Sequence, residues 1–122
     1  MSSASKKAAS LIAKLRAKSA TSRDSVLSEL VELGPDAVEP LMEALDHKDY
    51  KVRMAVAEAL GELRDKRAIP PLIEALSDSS KNTQEAAAIA LAAIGGSAVP
   101  ALLDALIGSD QAARKWAAEA LG

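Results

Sequence analysis

Cysteine and phenylalanine are absent from the 122 residues, and the aromatic side chains come down to Tyr50 and Trp116. Without thiols there is no disulfide, no thiolate nucleophile and no cysteine-ligated metal. The apolar residues make up 49% of the chain and are mostly Ala and Leu. That composition suits small-on-small helix packing better than a strand core of β-branched and aromatic residues. His47 is the only histidine, and beside Asp46 in a turn it reads as a surface residue rather than a base or ligand. Gly95-Gly96 has no following lysine, so no phosphate loop is present. No catalytic residue, metal or cofactor is assigned. No window approaches the roughly 18 apolar residues of a membrane span, and no secretory h-region exists. The expectation is a cytoplasmic chain with no membrane partner.

Acids are missing from the first 23 residues, which carry Lys6, Lys7, Lys14, Arg16, Lys18 and Arg23. The overall charge of −2 therefore leaves −8 on the remaining 99 residues. A basic amphipathic start is compatible with a membrane or nucleic-acid contact. The plainer reading is a solvated polar cap on the first helix.

What is present is repetition, with a period of about 30. Pro40-Leu-Met-Glu-Ala-Leu45 returns as Pro71-Leu-Ile-Glu-Ala-Leu76 and as Ala101-Leu-Leu-Asp-Ala-Leu106, with Ser10-Leu-Ile-Ala-Lys-Leu15 upstream. In the same register Leu30, Leu60, Leu91 and Leu121 correspond, as do Arg23, Arg53, Gln84 and Arg114. Apolar residues within a unit recur at helical spacing, as in Val52, Val56, Leu60 and Leu63. Prolines 40, 70, 71 and 100 fall in first turns, where a missing N–H costs little. Asp49, Ser79 or Ser80, and Asp110 stand ready as N-caps. The pattern predicts helices at about 4–18, 22–33, 36–46, 50–63, 67–77, 81–94, 97–107 and 110–121. One hairpin cannot bury its apolar faces alone, so the units must stack. The fold expected is all-α: an α-α superhelix, a right-handed solenoid of four helical hairpins with about eight helices. A flexible N-terminus (1–7) would precede a single domain over 8–122, with repeats at about 8–33, 36–63, 66–94 and 97–122.

The stretches Arg67-Ala-Ile-Pro-Pro-Leu-Ile-Glu-Ala-Leu76, Asp46-His-Lys-Asp49, Val52-Arg53 and Ala57-Glu-Ala-Leu-Gly61 resemble HEAT-like repeats of the phycobilisome-lyase type. They also resemble the consensus of artificial alpha-helical repeat libraries. The resemblance covers about residues 8 to 122. It implies that Arg53 pairs with Asp46 or Asp49, and Arg114 with Asp110. In the third repeat Gln84 and Ser80 would interrupt that ladder and leave Asn82-Thr83-Gln84 as a weaker joint. The paired His-Glu motifs by which HEAT-repeat hydroxylases hold a di-iron site are absent.

The resemblance further implies a concave face built from the second helices. It comprises Thr21, Asp24, Ser25, Ser28 and Glu32; Tyr50, Lys51, Met54, Ala55, Glu58 and Glu62; Lys81, Asn82, Glu85, Ala86, Ile89 and Ala93; and Gln111, Ala112, Lys115, Trp116 and Glu119. Both aromatics fall here, and aromatic anchors within a polar rim mark protein-binding surfaces; Trp116 alternatively fills space at the end of the array. Acids outnumber lysines on this face, which disfavours nucleic acid. The expected function is a non-catalytic scaffold that binds a protein or peptide of basic or mixed charge. Alternatives are an accessory subunit of a lyase-like or cofactor-handling enzyme, and a repeat array, natural or designed, without an evolved ligand. The small apolar residues of the last repeat add the expectation of a homodimer through the C-terminal repeat.

Overall fold

The computed structural model describes residues 3–16 and 20–122, excepting the side chains of 16 and 20–22. Eight α-helices lie among them: α1 (Ser3–Ala13), α2 (Ala20–Glu32), α3 (Val38–Ala44), α4 (Tyr50–Leu63), α5 (Ile69–Ala75), α6 (Lys81–Ile94), α7 (Val99–Leu106) and α8 (Gln111–Leu121). The described residues contain no strand. Consecutive helices form four hairpins, and α2, α4, α6 and α8 stack in series as the second layer of an all-α superhelix. The expected helix over 4–18 ends its α-helical part at Ala13 and tightens to a 3-10 turn at 14–16; 17–19 lie outside the described residues. The residues expected to be flexible, 1–7, are helical from Ser3 onward, because Ala8, Leu11 and Ile12 on the same helix are buried.

The first helices of the later units are shorter than predicted, since each is entered through a 3-10 turn: Gly34–Ala37, Lys66–Ala68 and Gly95–Ala98. The second helices are fixed by their caps. Asp49 accepts from the Lys51 N–H at 2.9 Å, the Ser80 hydroxyl from Thr83 at 3.4 Å and Asp110 from Ala113 at 2.8 Å. Of the two serines left open by the sequence, Ser80 is therefore the cap. The hydrogen bond from Ala113 is the main reason the Asp110 carboxyl is held below the usual range. At the ends of α4 and α6, and before α3, one residue takes a positive φ: Gly34 (φ 68), Arg64 (φ 55) and Gly95 (φ 84), Arg64 being left-handed helical. Glycine meets this geometry without strain, whereas an arginine there costs about 1 kcal/mol.

The core is a run of Leu, Val and Ala along the inner faces, with Leu30, Leu60 and Leu91 fully buried. Gly61 sits where α4 crosses α6, and a Cβ there would lie 2.8 Å from the Ala90 Cα. The two helices therefore pack backbone to backbone. By length and composition the helical run 81–106 is apolar enough to cross a membrane, contrary to the sequence expectation. Its two halves, α6 and α7, belong to different hairpins with the chain redirected at Gly95.

The ladder between repeats differs from the one expected. Arg53 does not pair with Asp46 or Asp49; it reaches the next repeat, donating Nε and Nη2 to the two carboxylate oxygens of Asp78 at 2.9 and 3.0 Å. The pair is little exposed, at 12% and 13%, and its two parallel bonds fix geometry as well as charge. Asp49 is unavailable because it caps α4. The Nη1 of Arg53 donates to the His47 carbonyl at 2.7 Å, and Arg114 likewise donates to the Gly108 carbonyl at 2.9 Å rather than to Asp110. Gln84 fills the same role, giving Nε2 to the Asp78 carbonyl at 2.6 Å. Its Oε1 accepts from the Trp116 indole at 2.9 Å. The third repeat is thus tied to the fourth by a neutral bond where the second is tied to the third by an ionic one. Thr83, expected in a weak joint, is fully buried and donates to the Tyr50 carbonyl at 3.4 Å.

Candidate functional site

Helical spacing puts residues four apart on one ridge, and on the concave side these ridges run Met54, Glu58, Glu62 on α4 and Glu85, Ile89, Ala93 on α6. The two helices are equivalent segments of neighbouring repeats, so Met54 stands level with Glu85, and Glu58 with Ile89. Apolar and acidic groups therefore alternate across the joint. Between the ridges lies a groove of about 680 Å³ lined by both rows together with Asn82, Ala86, Ala90, Gly61 and Arg64. Its floor is shallow because Gly61 and Ala90 bring the backbones together. Ile89 is 64% exposed, while Met54 is half-buried against the core.

The carboxylates of Glu58, Glu62 and Glu85 make no hydrogen bond or salt bridge among the described residues. Partial burial pushes the Glu58 carboxyl above its ordinary value, and the nearby charges of Asp24 and Glu62 push the same way, against Arg23. A hollow lined by Asp24, Leu27, Ser28, Glu58 and Glu62 continues the groove toward α2, and one lined by Glu85, Ile89, Trp116 and Glu119 among others continues it toward α8.

Trp116 is not an exposed anchor: only 8% of it is accessible, packed over α6 with its indole N–H bonded to Gln84. Its position corresponds to Ala55 and Ala86, which are also buried; Ala86 lies in the lining of the groove and Trp116 in that of the smaller hollow, each packed against the neighbouring repeat rather than standing free. Trp116 therefore fills space at the joint. Tyr50 is 39% exposed at the start of α4 and lines none of the cavities described. Lys51 and Lys81 sit exposed in the first turns, outside the groove, and Gln111 is exposed at the start of α8. Lys115 lies over the Trp116 ring at 4.7 Å from its centroid. Glu119 borders the smaller hollow. Thr21 falls outside the residues whose side chains are described. Sequence reasoning did not single out Arg64 or Gly61 for the groove; the glycine pattern of the sister repeats (Gly34, Gly95 against Arg64) was the available signal. His47 is half-buried in its turn, where Nδ1 accepts from the Asp49 N–H at 3.0 Å.

The architecture has known relatives. The phycocyanobilin lyase subunit alpha of Microchaete diplosiphon is 41% identical over 59 residues, and the match spans 43% of this chain and 20% of that protein. The CpcE and CpcF complex of phycocyanin lyase from Nostoc sp. PCC7120 contains a chain that superposes with a TM-score of 0.73 at 25% identity, covering 92% of this chain and 74% of that one. Human deoxyhypusine hydroxylase shares the fold with a TM-score of 0.70 at 23% identity, over 97% of this chain and 43% of the hydroxylase. The model of HEAT repeats matches residues 8–79 and 38–122, and with that span the chain belongs to the HEAT-repeat family.

Proposed function

We propose that this chain is a non-catalytic interaction module that holds a protein or peptide segment along its concave face, in the groove between α4 and α6. The observation that carries the reading is Ile89, a large apolar side chain left 64% exposed over a 680 Å³ groove. A residue so placed contributes little to stacking, and burying it in a partner contributes about 1–2 kcal/mol. A random peptide library selected on the wild-type chain and counter-selected on Ile89→Asp tests this. Enriched peptides should bind wild type and lose the variant. Peptides that bind both equally would refute the groove as the site.

A second reading, an accessory subunit of lyase type, is favoured by the match to a phycocyanobilin lyase subunit and by a groove within the size range of small-ligand sites. Titration with phycocyanobilin, followed by a change in the pigment's absorbance that Ile89→Asp abolishes, would support it over the first. Self-association through the last repeat is supported by Val99 and Leu103, exposed on α7, and by Ile107, exposed just past its end. Ile69, the counterpart of Val99, is buried. Sedimentation at high micromolar concentration tests it, a pure monomer being the contrary result.

A further inference from the structure

The groove between α4 and α6 also defines the chemistry of its occupant. Counted over the whole concave face the charges look mixed, but the lysines of that face, Lys51, Lys81 and Lys115, line no part of the cavity. Inside it stand Glu58, Glu62 and Glu85 against Arg64, which sits at the C-terminal end of α4. The three carboxylates have no hydrogen bond or salt bridge among the described residues; from α2, Asp24 adds to the charge around Glu58 and Arg23 offsets part of it. These acids do not stand alone on a solvated face. They flank an apolar strip of Met54, Ile89, Ala86 and Ala93 in a groove whose floor is nearly flat backbone and methyl groups.

Resting on the reading that this groove binds a peptide segment, we infer that the segment is cationic and amphipathic: an arginine beside an apolar side chain, the latter against Ile89 and Met54, the former between Glu58 and Glu85. An incoming carboxylate would meet three acids against the single arginine of the groove lining. A neutral segment would desolvate them without return. Arginine fits better than lysine, because its planar, weakly hydrated guanidinium can lie on an apolar floor while bonding a carboxylate at its edge.

The test uses three labelled 12-residue peptides of one design, carrying Arg and Leu, Lys and Leu, or Glu and Leu, titrated into the full chain by fluorescence anisotropy. Amide NMR shifts locate the site. The Arg peptide should bind most tightly, shift the amides of Glu58 and Ile89, and weaken as salt is raised. Glu58→Gln/Glu85→Gln should weaken it by about tenfold, in line with two partly screened pairs. Binding of the Glu peptide in the groove as tightly as the Arg peptide would overturn the cationic inference and leave the concave-face reading standing. So would an unchanged affinity in the double variant together with a flat salt dependence in wild type. If no peptide moves any groove amide, both fall.

Discussion

Replacing Gly61 with alanine sets two physical effects against each other. Gly61 lies inside α4, and in a helix interior glycine is about 1 kcal/mol less favourable than alanine. Propensity alone therefore predicts a more stable protein. The tertiary structure predicts the reverse, since the new methyl would lie 2.8 Å from the Ala90 Cα and 2.9 Å from its Cβ. Ordinary carbon contacts fall at about 3.5–4.0 Å. The obstacle is helix backbone, which no rotamer change can move, so α4 and α6 would have to separate by most of an ångström. Overpacking of this kind costs up to about 3 kcal/mol, and the net expected loss is about 2 kcal/mol. Urea denaturation followed by circular dichroism would show a lower midpoint with an unchanged slope, and a melting temperature lower by roughly 8 °C. Gly96→Ala is the internal control: nothing lies within 4 Å of its added Cβ, and stability there should stay within about 0.5 kcal/mol. A more stable Gly61→Ala protein would refute the close helix crossing and, with it, the shallow floor of the groove.

Asp78→Ala removes both bonds to Arg53 and the acceptor for the Ser80 N–H at 2.8 Å; a loss of about 2 kcal/mol is expected, and Arg53→Met in the same background should cost much less than it does alone in a double-mutant cycle. Arg64→Gly relieves the one left-handed non-glycine among the described residues and should raise stability by about 1 kcal/mol in denaturant titration, no change being the refuting result. The raised carboxyl of Glu58 means that the folded chain keeps this proton to higher pH than the unfolded one. Stability should therefore fall as pH rises from the ordinary glutamate range through the folded value. In Glu58→Gln that slope should flatten, measured as denaturation midpoints across pH 4 to 7.

Much of the architecture was legible in the letters because repeats test their own register. Of the corresponding Leu30, Leu60, Leu91 and Leu121, the first three are fully buried, while Leu121, in the last helix, is half-buried. The cap serine was not legible because Ser79 and Ser80 are adjacent and either could cap α6; the backbone at Ser80 decides it. The partner of Arg53 and the bond from Trp116 to Gln84 depend on how far one repeat lies from the next, across 25 and 32 residues of sequence. Trp116 shows the same limit: the sequence left it open between a surface anchor and a space-filling residue, and its location turns it inward.

By itself the sequence determined the hairpin unit, its four-fold recurrence and the helix class, because helix periodicity, proline and glycine act locally and each copy confirms the others. Only the tertiary structure decided which residues face inward at the joints, that Arg53 bridges forward to Asp78, and that the groove is acidic although the face as a whole is mixed. Those outcomes follow from how closely neighbouring helices approach. At α4 and α6 that approach is set by the glycine at position 61 meeting Ala90, a contact between residues in different repeats.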